Sequence, residues 1–346
     1  MTDRKILTLS IVVLFLIFAT AVFAGGEKRN GTAGAQELLI PVGAKGLSLS
    51  GTNIASMSGV EAIYYNPAGI SNMEGSVEAS FSYMNYIADI NLLYGAVAVN
   101  MGEIGSIGLA VKTLDIGDIP ITTTEKPQGT GSLFSPRFTV IGLSYSNFLT
   151  ANIKVGLTFN LISEQISSSN ATGLGVDAGV QYDNFALING LKLGLVLKNF
   201  GPQMKFSGPD LIRNATDASS LRGEQFYLID AASFELPSQL SIGLSYDLSL
   251  NEEMSYVVST AFESNNFSND GYKVAAEVGY KNMFFLRGGY TYVAEAADDK
   301  AENIFGPTLG GGVYLDAGEL DLIFDYAYRF TEFFDNNQVF ALTLLF

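Results

Sequence analysis

Short segments with strict two-residue alternation run from Ser76 to Phe346, and they constrain the fold more than any other feature of the sequence. In the clearest segment, 320–330, leucine, phenylalanine and tyrosine occupy the even positions, and Asp321, Asp325 and Arg329 stand among the odd ones. Side chains of a β-strand alternate between two faces, so one face of this segment is apolar and the other is largely polar. Repeated segments of about ten residues with this pattern, separated by turn-forming residues, are typical of outer-membrane strands.

The number and spacing of these segments indicate a closed barrel. We count about fourteen, centred near residues 81, 96, 110, 142, 158, 178, 195, 243, 259, 276, 290, 310, 325 and 342. A closed single-chain barrel of the bacterial outer membrane has an even number of strands, with short turns at one end and longer loops at the other. The two longest connections, 115–135 and 201–236, fall at the same predicted end.

The sequence therefore predicts an all-β fold, a transmembrane antiparallel β-barrel of about 14 strands formed by residues 76–346. A soluble β-sandwich is the main alternative, because its strands also alternate. Its apolar faces would pack together as a core. Here the glycine-rich and charged residues form a continuous second face instead, which favours the barrel.

The first 24 residues have the features of a secretory signal peptide. Arg4 and Lys5 precede an apolar stretch from Ile6 to Phe18, and small residues follow up to Ala24. This order predicts cleavage near Ala24 and a final location in the outer membrane, in contact with outer-membrane lipid. An uncleaved anchor helix is the alternative, which the short apolar core disfavours.

Composition excludes several classes of function. The chain has no cysteine and no histidine, so thiol catalysis, Ser-His catalysis and Cys- or His-ligated metal sites are ruled out. Its formal net charge of -16 disfavours nucleic acid as a partner. We therefore expect a protein that is not an enzyme and has no catalytic, cofactor-binding or metal site.

Residues 25–75 lack the barrel periodicity and are rich in glycine, alanine and serine. A barrel of eight strands is filled by its own side chains, whereas fourteen strands leave room for an inserted segment. We expect residues 25–75 to form a plug, or hatch, in the lumen. The sequence Asn66, Pro67, Ala68 and Gly69 could belong to this hatch or form a simple turn before the first strand. The residues alone favour neither interpretation over the other.

Three runs in this region resemble a known family. They are AQELLIPVGAKGL at 35–47, GTNIA at 51–55 and EAIYYNPAGI at 61–70. Together they resemble the N-terminal signature of the PorV/PorQ family, which is related to FadL-type long-chain fatty-acid transporters. The resemblance implies a 14-stranded barrel with a lumenal hatch, and it places the hatch element of that family at Asn66, Pro67 and Ala68.

Two functions follow as hypotheses. The first is a PorV-like role in type IX secretion, in which the outward loops hold secreted cargo proteins or dock on the secretion translocon. The mixture of apolar and polar residues in loop 201–236 suits a partner surface, or a loop that folds back over the barrel mouth. The resemblance favours this first function.

An open diffusion pore is a further possibility besides the two hypotheses, and a plug of about fifty residues argues against it.

The second hypothesis is a FadL-like transporter of long-chain fatty acids or other hydrophobic small molecules, which needs an apolar lumenal site with some polar groups. Charged residues of both signs are predicted to face the lumen. They are Lys112, Lys154, Lys192, Lys198, Lys273, Arg287, Arg329, Glu78, Asp177, Asp247, Glu263, Glu277, Asp321 and Asp325. Mixed signs favour ion pairs that brace the barrel, so no single residue is assigned a binding role.

Overall fold

The computed structural model describes residues 32–216, 223–249, 251, 253–293, 304–318 and 320–346. Within this part of the chain, fourteen antiparallel strands form a closed barrel. The predicted signal peptide and its cleavage point at Ala24 lie outside the described residues. No helix among the described residues is both long enough and apolar enough to cross a membrane.

We number the barrel strands β1 to β14. The first seven are β1 Val77–Asn85, β2 Asn91–Asn100, β3 Ser106–Asp115, β4 Arg137–Thr150, β5 Ile153–Ile166, β6 Ser169–Tyr182 and β7 Leu191–Phe200. The others are β8 Gln239–Ser249, β9 Met254–Asn265, β10 Gly271–Tyr280, β11 Phe284–Val293, β12 Phe305–Asp316, β13 Asp321–Thr331 and β14 Asn337–Leu345. The prediction of an all-β, 14-stranded antiparallel barrel is confirmed, and each predicted segment centre falls inside one of these strands.

Alternation along each strand separates two faces of the wall. On one face Phe81, Leu143 and Phe159 are exposed, whereas their neighbours Ser80 and Ser144 are buried. An exposed apolar band around a closed barrel is the face that contacts lipid. A slip of one residue would turn Lys112 or Lys154 to that face, at about 2–4 kcal/mol for each lysine near the bilayer midplane. The register is therefore strongly specified.

Every strand pairs with its neighbours in sequence, and β1 pairs with β14 to close the ring, with Ser80 opposite Thr343. The pairing is not equally complete everywhere. Fourteen residue pairs join β5 to β6, from Ile153–Tyr182 to Ile166–Ser169. Only six join β11 to β12, from Phe284–Val313 to Gly289–Thr308. The register of β12 with β13 also shifts between Phe305 and Thr308.

The connections differ between the two ends of the barrel, which we call the short-turn end and the long-loop end. Three loop hairpins stand at the long-loop end: Ile119–Pro120 with Leu133–Phe134, Met204–Lys205 with Ser233–Phe234, and Ile212–Ala215 with Gln225–Leu228. At the short-turn end, single 3-10 turns occupy Gly102–Ile104 and Phe185–Leu187, whereas the turn Pro209–Leu211 belongs to the long loop 201–236. This asymmetry is that of outer-membrane barrels, whose longer loops face outward.

Residues 32–75, which we call the N-terminal segment, contain only short helices. These are α1 Ala44–Ser48 and α2 Ala62–Tyr65, with 3-10 turns at Gln36–Leu39, Asn53–Ala55 and Pro67–Asn72. Helices this short are not stable alone and need tertiary packing. Ile63, Tyr65 and Ile70 supply it, since they are buried in one apolar cluster with wall residues such as Met84 and Val339.

Candidate functional site

The N-terminal segment is hydrogen-bonded to strands in separate parts of the ring. These bonds join Thr52 to Ser259 (2.6 Å), Ser50 to Thr308 (2.9 Å), Ser71 to Ser146 (3.3 Å) and Val60 to Glu78 (2.8 Å). The four wall residues belong to the buried face of the strands. The segment thus lies against the inner surface of the barrel on several sides.

Asn66 attaches the segment to the wall. Its side chain is fully buried, and its Oδ1 accepts a hydrogen bond from the backbone N–H of Ala68 at 3.2 Å. Its Nδ2 donates to the carbonyl oxygen of Ile54 at 2.8 Å and to that of Val180, on β6, at 3.1 Å. Pro67 follows at the first position of a 3-10 turn, where its missing N–H costs nothing. One amide side chain therefore caps this turn and also bonds to the wall.

Two glycines make room for this attachment. A Cβ atom on Gly179 would lie 1.9 Å from Oδ1 of Asn66, and one on Gly156 would lie 2.3 Å from the carbonyl carbon of Pro67. Both distances are far below van der Waals contact. The motif 66–69 of the N-terminal segment therefore lies against β5 and β6. The wall has glycine at the two positions where the backbones approach most closely.

A cavity of about 980 Å³ lies between the N-terminal segment and the long-loop end. Tyr64 and Tyr65 contribute from the segment, and Leu114 and Phe138 contribute from the wall. Its size is at the upper end of the range found for small-molecule sites, which are mostly apolar with a few polar groups. The cavity also reaches Phe305 and Thr308, where the pairing between β11 and β12 ends.

Most of the predicted inward charges are engaged with other groups. Arg287 bridges Glu277 and Asp325, and the remaining ion pairs join Lys273 to Glu263 (2.5 Å), Lys192 to Asp247 (2.7 Å) and Lys154 to Asp183 (2.8 Å). Arg329 donates two hydrogen bonds to Oδ1 of Asn337 and stacks on the ring of Phe305. Nζ of Lys198 lies 3.5 Å from the centre of the Tyr64 ring. The charges brace the lumen, as their mixed signs indicate.

Two carboxyl groups of the N-terminal segment are buried without full pairing. Oε1 of Glu61 has no hydrogen-bond partner, and the carboxyl group of Glu37 is hydrogen-bonded to that of Glu164, another acid. Burial, reinforced by the neighbouring Glu164, raises the pKa of Glu37 to about 8. Burial, reinforced by Asp325, raises the pKa of Glu61 to about 7. In the described part of the chain, no group of three or more acidic side chains is placed to hold a metal ion.

The loop 201–236 behaves in two ways. Its base folds back, because Met204 and Leu236 are buried in a cluster with Ala35 and Leu38 of the N-terminal segment. Its hairpin projects outward, with Phe226 82% exposed and Leu228 70% exposed. The base of the loop thus covers part of the N-terminal segment, whereas the hairpin leaves an apolar surface open.

Sequence reasoning singled out Asn66, Pro67, Ala68 and Gly69 but missed the residues that shape the cavity. Tyr64, Glu37 and Glu164 carried no assignment, and they come together only in the folded chain. One signal was available. Glu37 directly precedes the apolar run 38–40, and an acidic residue in such a setting is either solvent-exposed or buried at a site.

These features define a class of protein: a membrane-spanning β-barrel of the outer-membrane type, with a cavity above a segment that contacts its inner face. Sequence comparison adds no closer identity, since no protein-family model and no curated protein matches.

Comparison with solved structures finds similar barrels at low sequence identity. The CymD monoaromatic hydrocarbon channel has a TM-score of 0.55 and 13% identity, covering 88% of this chain and 97% of that one. The Pseudomonas putida toluene transporter TodX has a TM-score of 0.51 and 12% identity, covering 85% and 96%. A FadL homologue of Pseudomonas aeruginosa has a TM-score of 0.50 and 12% identity, covering 88% and 97%. The chain has the fold of these FadL-type channels, and the matches show the fold alone.

Proposed function

We propose that the protein is an outer-membrane transporter of hydrophobic small molecules. The observation that carries this proposal is the cavity of about 980 Å³ between the N-terminal segment and the long loops. Its wall combines aromatic and aliphatic side chains with polar and charged ones such as Lys198, Glu263 and Lys273, and the apolar part of the wall suits an apolar ligand. The structurally similar CymD and TodX are described as a hydrocarbon channel and a toluene transporter, which agrees with this chemistry.

We propose further that residues 25–75 act as the hatch of this transporter, with Asn66, Pro67, Ala68 and Gly69 as its fixed point. Contacts of residues 32–75 with several parts of the inner wall support a blocking role. A ligand in the cavity would then leave only if the segment moves or the wall opens. The wall offers a weak place between β11 and β12, because their pairing ends at Gly289–Thr308, beside the cavity.

The proposal is tested by filling the cavity. Ser241 on β8 is 4% exposed and lines the cavity, whereas its neighbour Leu240 faces lipid. We expect Ser241→Phe to lower the uptake of radiolabelled toluene or oleate by at least tenfold, because the new ring occupies the ligand's volume. The assay uses cells that lack their own hydrophobic-compound channels and express this protein.

Leu240→Phe is the matched control, since it adds the same ring on the lipid side and should leave uptake unchanged. Equal uptake by both variants, with equal amounts of folded barrel in the membrane, would contradict transport through this cavity. If cells with the unmodified protein took up neither substrate, the proposed function itself would be contradicted.

A second candidate function is the PorV-like one, with membership of the PorV/PorQ family. The exposed Phe226 and Leu228 favour it, because an apolar hairpin on an outward loop suits a protein partner such as secreted cargo or a translocon. This support is weaker than that for the cavity, since no partner surface is matched to the hairpin. Recovery of secreted proteins with the detergent-solubilised barrel would favour this function over the first.

A further inference from the structure

A further cavity lies at the long-loop rim of the barrel, beside the seam where β1 meets β14. We call it the rim cleft. Its volume is about 920 Å³, and the ends of β1, β2, β13 and β14 form it together with the loops 86–90 and 332–336. Tyr86 and Ile90 line both this cleft and the lumenal cavity, so the loop 86–90 stands between the two. The rim cleft is therefore a separate space from the one proposed for transport.

Four side chains form a row across the floor of the rim cleft. Backbone pairing places Asn85 of β1 between Asn91 of β2 and Gln338 of β14. Gln338 is in turn opposite Tyr328 of β13. Each of the four lies two or four residues from an exposed apolar side chain on its own strand, so the row is on the lipid-facing side of the wall. Those exposed side chains are Leu93, Phe81, Phe340 and Phe324.

The neighbouring row on the same face, toward the middle of the barrel, is mostly aromatic. It contains Tyr83, which pairs with Leu93 and with Phe340, and Tyr326, which pairs with Phe340. Aromatic girdles lie at the membrane interfaces of outer-membrane barrels. The amide row beyond this girdle is therefore at the depth of the lipid head groups, where an amide finds polar partners that hydrocarbon would not supply.

The tyrosines of this girdle orient two of the amides. The hydroxyl of Tyr83 donates to Oδ1 of Asn91 at 2.7 Å, and that of Tyr326 donates to Oε1 of Gln338 at 3.2 Å. These bonds occupy the amide oxygens. In the described part of the chain, no group accepts a hydrogen bond from the side-chain nitrogen of Asn85 or Gln338. Both nitrogens can therefore donate to a molecule in the cleft.

The charge of the rim cleft is negative. Asp89, Glu332 and Asp335 line it and are exposed, and no lysine or arginine is among the described residues that line it. A phosphate head group would be repelled, since anionic lipids are bound by clusters of lysine and arginine. The carboxylates are also not placed to hold a metal ion together, within the described residues, that could bridge them to a phosphate. An uncharged sugar avoids this repulsion, because its hydroxyls donate to carboxylates and accept from amide N–H groups.

We propose that the rim cleft binds the sugar head group of an uncharged glycolipid. The amide row donates to the sugar hydroxyls, the carboxylates accept from them, and the exposed rings of Phe333 and Phe334 offer an apolar face to the sugar ring. The acyl chains continue along the lipid-facing band past Phe81. This continuity favours a lipid-borne sugar over a soluble one. The inference goes beyond the proposed function, because the site lies outside the lumen and does not depend on transport.

The experiment measures which lipid occupies the cleft. The chain has no tryptophan, so Phe324→Trp places a single fluorescent reporter in the lipid-facing band, four residues along β13 from Tyr328. The purified barrel with this reporter is reconstituted into dibrominated phosphatidylcholine, which quenches tryptophan on contact. Added dioleoyl-digalactosylglycerol or dioleoyl-phosphatidylglycerol then restores fluorescence according to its binding constant relative to phosphatidylcholine.

We expect a relative binding constant of about five or more for the galactolipid, which corresponds to about one or two net hydrogen bonds, and of about one or less for phosphatidylglycerol. Asn85→Leu combined with Gln338→Leu should lower the galactolipid value to about one. Gln165→Leu, which removes an exposed amide at the long-loop end of β5, is the control and should leave it unchanged. Equal quenching of all variants in pure dibrominated phosphatidylcholine shows that each is inserted.

Three results would overturn the inference. One is a galactolipid that binds no better than phosphatidylcholine or less well than phosphatidylglycerol. Another is a galactolipid preference that persists in the Asn85→Leu, Gln338→Leu variant, which would place the lipid elsewhere on the barrel. The third is loss of the preference in millimolar free lactose, which would show that the cleft takes a soluble sugar and not a glycolipid.

Discussion

Two parts of the barrel wall differ in how completely their strands are paired. Between β5 and β6 the ladder has fourteen residue pairs, and the Asn66–Pro67 attachment of the N-terminal segment lies against these strands. Between β11 and β12 it has six pairs, and the cavity lies beside the point where they end. The comparison teaches that the segment is attached beside the most fully paired ladder, whereas the cavity lies beside one of the two ladders that have only six pairs; the other joins β6 to β7.

The largest effect is expected from removing the attachment beside β5 and β6. Asn66→Ala removes the bonds from the Asn66 amide to the carbonyl oxygens of Ile54 and Val180, although Ile54 keeps a second donor in Gln181 at 3.1 Å. We expect a cost of about 2 kcal/mol, so a local opening should become roughly thirtyfold more frequent. Since the chain has no cysteine, maleimide labelling of a single Ala55→Cys residue measures this opening directly.

Asn214→Ala, on the exposed hairpin, is the control and should leave the labelling rate unchanged. If Asn66→Ala is labelled no faster than its parent, the segment is held by its other contacts. The attachment beside β5 and β6 would then not be what fixes it.

A smaller effect is expected from locking the segment to a third part of the wall. The hydroxyl oxygens of Thr52 and Ser259 are 2.6 Å apart, so cysteines at both positions should form a disulfide bond between the segment and β9. If the segment moves during transport, uptake should fall at least twentyfold and return when a reductant is added. Each single-cysteine variant controls for the substitutions, and uptake that persists in the cross-linked protein would show that the segment stays in place.

The smallest effect is expected from strengthening the weak wall. Pro307 lies between the two residues at which the register of β12 and β13 shifts, and it has no N–H to donate to a ladder. Pro307→Val restores a donor and favours an extended backbone, so uptake should fall about threefold if ligand leaves through this part of the wall. Pro120→Val, in a loop hairpin, is the comparison. Equal uptake by both variants would show that the ligand does not leave the barrel between β11 and β12.

Much of the barrel was readable from the sequence, because a two-residue period is a local property. The segment 320–330 shows this: Phe324 and Phe330, at even positions, are exposed, and Asp325, Ala327 and Arg329, at odd positions, are buried. The short turns and long loops were likewise visible as breaks in the pattern. The alternating pattern and the turn residues were sufficient to predict the strands.

The site was much less readable, because its residues are distant in sequence. Glu37 and Glu164 are separated by more than a hundred residues and meet only when the segment lies against β5. The turn-like sequence of Asn66 and Pro67 predicts local geometry, but no local rule shows that the Asn66 amide bonds to Val180. The ends of the β11–β12 pairing are also set by a tertiary arrangement.

The closing pair of strands has a consequence for the order in which the molecule assembles. β1 immediately follows the N-terminal segment, and it pairs with β14 from Glu78–Leu345 onward. Contacts between residues so far apart in sequence form late, since a very long stretch of chain must first be organised. For the proposed hatch, the segment must therefore reach its position before this seam closes, and the last ladder to form would be the one that encloses it.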